Sequence, residues 1–247
     1  MEPLIKNFDE RLKEIEAYLD LLEALERQVS IGPPTIGGAP ITVQQQRILY
    51  SSVYLQLYNL VEATATWCVD AVAAAAADGA QWKPADLSAE LRREWIRGNA
   101  RTHTDLNFDH RLQTAVDFFT WVADGRPIAA WGIEKGGGGN WDDAEIERMA
   151  ERLGLQLNIS GPVKTNAKRH VRDEMSTLKL VKVLRNKLAH GALSFTECGE
   201  NVTVSDLREL KDRAAQYLRE VIQLFQAFID SFIFLQPAKR PPLPPNP

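Results

Sequence analysis

Cysteine is nearly absent from the 247 residues: Cys68 and Cys198 are the only two. Two thiols exclude a disulfide framework and a four-ligand zinc site. Long apolar runs are lacking as well. The best candidate for a membrane span, VIQLFQAFIDSFIFL (221–235), is fifteen residues long and carries two Gln and an Asp, too short and too polar to cross a bilayer. An excess of positive charge is also missing. The formal net charge is −4, so the chain as a whole is no basic nucleic-acid glue, and a polyanion site has to be a local patch. The opening MEPLIKNFDE is acidic and has no apolar core of a signal peptide. With so little cysteine, this predicts a cytoplasmic location and no membrane partner. Strand alternation is nearly absent, with LQLNI (155–159) the one short example. No repeat of 20–50 residues is visible.

Helical spacing dominates what is there. Ile5, Phe8, Leu12, Ile15, Leu19 and Leu22 form one apolar stripe, and the pattern predicts a helix over 4–29. IGPPTIGGAP (31–40) breaks it and reads as a linker. A long helix follows over 43–78, ending in the Ala-rich AVAAAAA (71–77), whose small side chains suit close packing, with Gly79 as its stop. The middle is less regular: short helices are expected near 88–97, 109–122 and 141–154, with GIEKGGGGN (132–140) as a loop. Core helices over 164–189 and 205–235 complete the pattern. Six of the thirteen prolines fall in 237–247, which reads as a disordered or polyproline-like tail. The reading is one all-α domain over 1–236, a helical bundle with extra helices in its middle.

Charge concentrates in one place. Segment 164–187 holds eight Lys and Arg against Asp173 and Glu174, a net of +6, which leaves −10 for the rest. At about 100° per residue, Leu178, Val181, Leu184 and Leu188 share a packing face. Lys168, Arg172, Lys179 and Lys182 fall on an adjoining basic face, as phosphate-binding candidates, and Arg185 sits at the apolar edge. The plainer reading of such a face is solvation and compensation of the helix dipole.

The segment ends in VLRNKLAHG (183–191), where Arg185, Asn186 and His190 fit R-N-x-x-x-H-G. This resembles the signature of the HEPN superfamily. With LQLYNLVEATAT (55–66), GNWDDAEIERMAERLGL (139–155) and RNKLAHGALSFTECG, the chain resembles the MAE_28990/MAE_18760-like HEPN families of toxin–antitoxin and defence loci over about 43–235. The resemblance implies a four-helix core that dimerises to form a metal-independent ribonuclease site, with RNA as substrate and an antitoxin or defence protein as partner. Some superfamily members are noncatalytic binding modules, and that alternative stays open here.

The residue types suit the chemistry. RNA cleavage without a metal requires proton transfer at the 2′-OH and 5′-oxygen and stabilisation of a crowded phosphorane. Imidazole serves the first near neutral pH, and a guanidinium fork matches two phosphate oxygens. Arg185 and His190 are five apart, hence about 140° apart on an ideal helix, and one His does not easily act as both base and acid. A two-fold homodimer would supply two copies of each. Asn186, one turn before His190, is a candidate to orient the ring or the phosphate. Glu62 is a candidate to pair with and orient Arg185, against the plainer reading of a surface acid. His103, His110 and His170 show no ligand spacing, and neither metal nor cofactor is expected. Asp142 and Asp143 read as acids of a helix N-terminus, and GGGGN lacks the G-K-[ST] of a phosphate-binding loop.

Overall fold

The computed structural model describes residues 2–29, 31–99, 107–135 and 140–242. Nine α-helices lie among them: α1 (Glu2–Val29), α2 (Val43–Ala77), α3 (Ala89–Asn99), α4 (Phe108–Ala123), α5 (Asp143–Arg152), α6 (Gly161–Lys168), α7 (Thr177–Ala189), α8 (Phe195–Cys198) and α9 (Val204–Asp230). The all-α class read from the sequence holds. The one sheet among the described residues is a hairpin inside the expected linker. Strands β1 (Thr35–Ile36) and β2 (Ala39–Pro40) pair antiparallel across Gly37 and Gly38, both at positive φ, as a two-residue hairpin turn demands.

The chain forms two compact units. The first comprises Met1–Ala65, Asn140–Ala144 and Ile159–Ile222. Its core is drawn from one face of each long helix: Phe8, Ile15, Leu19 and Leu22 of α1, Val53, Leu57 and Leu60 of α2, and Leu207, Leu210, Tyr217 and Leu218 of α9. Helices α1 and α9 run antiparallel. Arg208 pairs with Asp20 and Glu23, Lys211 with Glu16, and Arg219 with Asp9, so partners on α1 descend as α9 ascends. Gly199 ends α8 against α2, where a Cβ would sit 2.1 Å from the Arg47 carbonyl oxygen, which only glycine allows.

The second unit comprises Thr66–Gly139, Glu145–Asn158 and Gln223–Pro247. Val72, Ala73 and Ala76 of the Ala-rich stretch are buried, as are Leu91 and Trp95 of α3, Ile146 and Met149 of α5, and Phe225 and Phe228 of α9. Within it the buried Glu94 carboxylate accepts from Arg152 (2.6 Å) and Arg97 (2.6 Å), which satisfies a charge that burial would otherwise penalise.

Several expectations are corrected. The helix expected over 164–189 is two helices. Arg169 leaves α6 in extended backbone, and Asp173 and Glu174 both take positive φ (51° and 55°). Hydrogen bonds Val171 N to Met175 O and Met175 N to Arg172 O then close a tight reverse turn. The alternating LQLNI (155–159) pairs with no strand among the described residues, in keeping with the all-α reading. The last helix stops at Asp230, where the chain turns with Phe232 at φ 52°. The proline-rich end starts ordered: Pro237–Lys239 is a 3₁₀ turn, Gln236 N donates to Asp86 O, Lys239 pairs with Asp86, and Arg240 Nε donates to Leu235 O. Residues 243–247, the Gly run 136–139 and His103 lie outside the described residues. By length and composition alone, Val43–Ala80 rather than 221–235 is, among the described residues, the helix apolar enough to cross a membrane, and half of its most apolar window is buried inside the protein.

Candidate functional site

Helix α7 presents its face as its periodicity dictates. Leu178, Val181, Leu184 and Leu188 are buried, Lys179 and Lys187 are exposed, and Arg185 and Asn186 are half-buried between them. The helix ends where the sequence turns to glycine. His190 is the C-cap, its backbone N–H donating to Asn186 O, and Gly191 follows at φ 69°. The N–H groups of Ala192 and Leu193 return to Lys187 O and satisfy a terminal carbonyl.

Three groups hold Arg185. Its guanidinium lies over the Tyr58 ring, 4.3 Å from the centroid. Its Nη2 is 3.8 Å from Glu62 Oε2, and its Nη1 donates to Asn186 Oδ1 at 2.8 Å. Tyr58 and Glu62 are four apart on α2 and therefore share the face turned to α7. Tyr58 is buried beneath the guanidinium, and burial is the main cause that pushes its phenol above the ordinary value; the charges of Glu62 and Asp142 push the same way. The neutral ring keeps the face that attracts a cation.

A short strap, Asn140–Ala144, belongs to this unit although the residues on either side of it do not. Asn186 Nδ2 donates to Asn140 Oδ1 at 2.8 Å. The Trp141 backbone N–H donates to the Tyr58 hydroxyl at 3.2 Å. The nearly buried Asp142 accepts from Lys182. Ser176, at the start of α7, donates to Asp143 at 3.4 Å, and Lys168 of α6 stands 3.8 Å from the same carboxylate. The two acids that read as helix N-terminal residues are thus also the contacts that fix α7 in place. Sequence reasoning did not find Tyr58 or the strap. The spacing of Tyr58 to Glu62 is a signal that was there to be used, whereas nothing in the sequence says that 140–142 lies along α7.

The predicted residues are therefore only partly assembled. Arg185, Asn186 and Glu62 come together. His190 is one turn beyond Asn186, exposed, with no partner for its ring among the described residues. The four basic candidates do not share one helical face. Lys179 and Lys182 are on α7, Lys168 is on α6, and Arg172 is in the turn, 3.6 Å from Asp173. Lys182 is engaged by Asp142. Lys179 alone of the four is exposed with nothing paired to it among the described residues. His110 is exposed on α4, and His170 is exposed after α6. Among the described residues no three His, Cys, Asp or Glu side chains come together as a metal-binding group, and both cysteines are buried free thiols.

A family model for MAE_28990-like HEPN proteins matches residues 1–234. No curated protein and no solved structure matches the chain.

Proposed function

Since the chain belongs to the MAE_28990-like HEPN family and so carries a HEPN-domain function, we propose that it is a metal-independent endoribonuclease acting as a toxin or defence effector. Its site is built from Arg185, Asn186 and His190 of two chains related by a two-fold axis. The observation that carries this reading is the unequal setting of the two charged groups. Arg185 is aimed by Tyr58, Glu62 and Asn186, while His190 stands exposed one turn on.

The chemistry follows from those groups. One imidazole accepts the 2′-OH proton as the 2′-oxygen attacks phosphorus. The P–O5′ bond breaks, and a second imidazole, from the partner chain, protonates the 5′-oxygen. The products are a 2′,3′-cyclic phosphate and a free 5′-hydroxyl. The guanidinium fork stabilises the charge on the non-bridging oxygens. A second copy supplies the second imidazole that a single chain lacks, and DNA, without a 2′-OH, is spared. An antitoxin-like partner protein is the natural restraint on such an activity.

One observation favours a second reading, a noncatalytic HEPN module that binds RNA or a protein. The contacts that aim Arg185 also occupy it, and three of the four basic candidates are paired with acids. Incubating the purified chain with a generic RNA in excess EDTA separates the two. Cyclic-phosphate ends and their loss in His190→Ala support the nuclease. RNA binding without cleavage, or cleavage unaltered in a folded His190→Ala variant, supports the module.

A further inference from the structure

Helix α4 wears its apolar face outward. Phe108, Leu112, Val116, Phe119 and Val122 are all exposed, the two Phe by 75% and 73%, and none of the sixteen residues of the helix is buried. At about 100° per residue these five fall within roughly 120° of one another, with Ala115 between them, so they form one continuous stripe. The helix is attached by its other flank: Phe118 and Trp121 pack on Trp95 at 4.9 Å and 5.8 Å between ring centroids. Trp121 Nε1 also donates to Pro127 O. Asn107 caps the first turn, accepting from the His110 N–H. The stripe therefore belongs to a well-started, anchored helix whose apolar side faces solvent, on a scale that marks an interaction site on a folded protein.

We infer that α4 is a self-association surface on which two copies of this chain pair through antiparallel α4 helices, about a two-fold axis between Ala115 and Val116. The stripe reads nearly the same in both directions. Setting Ala115 against the partner's Val116 sets Leu112 against the partner's Phe119 and Phe108 against the partner's Ala123, next to Val122. Larger side chains then oppose smaller ones along the seam, the interdigitation that an antiparallel helix pair requires. The flanks carry no like-charge clash, since Asp109 and Arg111 lie on opposite edges of the stripe and Asp117 points away from it, held by Gln113 at 2.7 Å. On the scale of aromatic side chains, about 500 Å² of mostly apolar surface is exposed per copy. Pairing would bury about 1,000 Å² in all, the lower bound of a specific interface. Acidic and basic residues mixed along the flanks suit a second copy better than an anionic membrane. The surface lies in the second unit, whereas Arg185 and His190 lie in the first, so this pairing does not depend on the ribonuclease reading.

The test uses the full chain. Phe119→Asp is expected to halve the mass of the assembly by light scattering at micromolar concentration with unchanged helical circular dichroism. Val116→Cys is expected to cross-link into covalent dimers on mild oxidation, because the native cysteines are both buried. Asp117→Cys, on the far side of the same helix, is expected to remain uncross-linked. An unchanged mass for Phe119→Asp overturns the inference, as does cross-linking of Val116→Cys no greater than that of Asp117→Cys. A monomeric wild type that floats with phosphatidylcholine vesicles overturns it too, and would assign the face to a membrane.

Discussion

The body of α7 and its C-terminal cap are built on opposite principles. Along the body, Lys182 is engaged by Asp142, and Arg185 by Tyr58, Glu62 and Asn186. At the cap, His190 has its backbone fixed by Asn186 and Gly191 and its ring left free among the described residues. A group that positions charge gains from being held, since a preorganised guanidinium loses less freedom when phosphate arrives. A group that moves protons has to meet its substrate and exchange with solvent. Anchoring contacts therefore lie along the body of the helix and an exposed imidazole at its end, and mutations can pull the two apart.

The largest expected effect is at the cap. If the nuclease reading holds, His190→Ala lowers the cleavage rate by roughly 10²–10⁴, the range of general acid–base catalysis. The thermal midpoint should stay within a degree or two, because the exposed ring contributes little to packing. Arg185→Ala should cost a rate of similar size and also about 1–2 kcal/mol of stability, from the lost cation–π contact and a half-exposed ion pair. Arg185→Lys should restore the fold better than the rate, because a point charge stabilises Tyr58 but does not fork two oxygens. Measuring both quantities on the same preparations checks the division. Equal destabilisation by His190→Ala and Arg185→Ala would erase it.

How far this division could be read from the residues depends on the range of the contact. The apolar face of α7, the position of Arg185 at its edge and the Gly191 stop are local, fixed by period and backbone geometry, and all three were legible. So were the packing stripe of α1 and the long α2. The break at 169–176 was not. RHVRDEMST contains neither Gly nor Pro, and its turn relies on Asp173 and Glu174 adopting a left-handed backbone that side chains of their type adopt infrequently. With that break, Lys168 and Arg172 leave the helix that carries Lys179 and Lys182, so the four no longer share one helical face. The reverse holds in 31–40, where Gly37-Gly38 carries the signal of a hairpin turn as well as that of a helix breaker. The strap at Asn140–Ala144 lies 80 or more positions from Tyr58, and no local rule reports such a contact.

The strap offers the next effect in size. Asp142→Ala leaves the ammonium of Lys182 without its acceptor in a largely covered position. A cost of about 1–3 kcal/mol is expected, less than for a fully buried pair because Lys182 still reaches water. Tyr58→Leu should cost about 0.5–2 kcal/mol through the lost cation–π contact. It should also lower the rate without abolishing it, since Glu62 and Asn186 still hold Arg185. Tyr58→Phe keeps the ring and loses only the acceptor for the Trp141 N–H, so it should retain most of the rate. Chemical denaturation with a parallel cleavage assay distinguishes these. A Tyr58→Phe variant as slow as Tyr58→Leu would shift the role of Tyr58 from its ring to its hydroxyl.

The smallest expected effect lies at the start of the same helix and concerns binding alone. Lys179 is exposed with nothing paired to it among the described residues, whereas Lys182 already has a carboxylate. A phosphate approaching Lys179 releases counterions and displaces no ion pair. At Lys182 the same phosphate competes with Asp142 at close range. Lys179→Ala should therefore weaken RNA binding a few-fold and reduce the slope of log affinity against log salt by about one, with stability unchanged. Lys182→Ala should leave that slope nearly intact and lower stability, because it removes a cationic partner from the nearly buried Asp142. Binding titrations at three salt concentrations, with thermal midpoints for both variants, decide the matter. If both variants flatten the slope equally, Lys182 exchanges its carboxylate for phosphate when RNA binds, and the body of α7 is less rigidly held than its contacts imply.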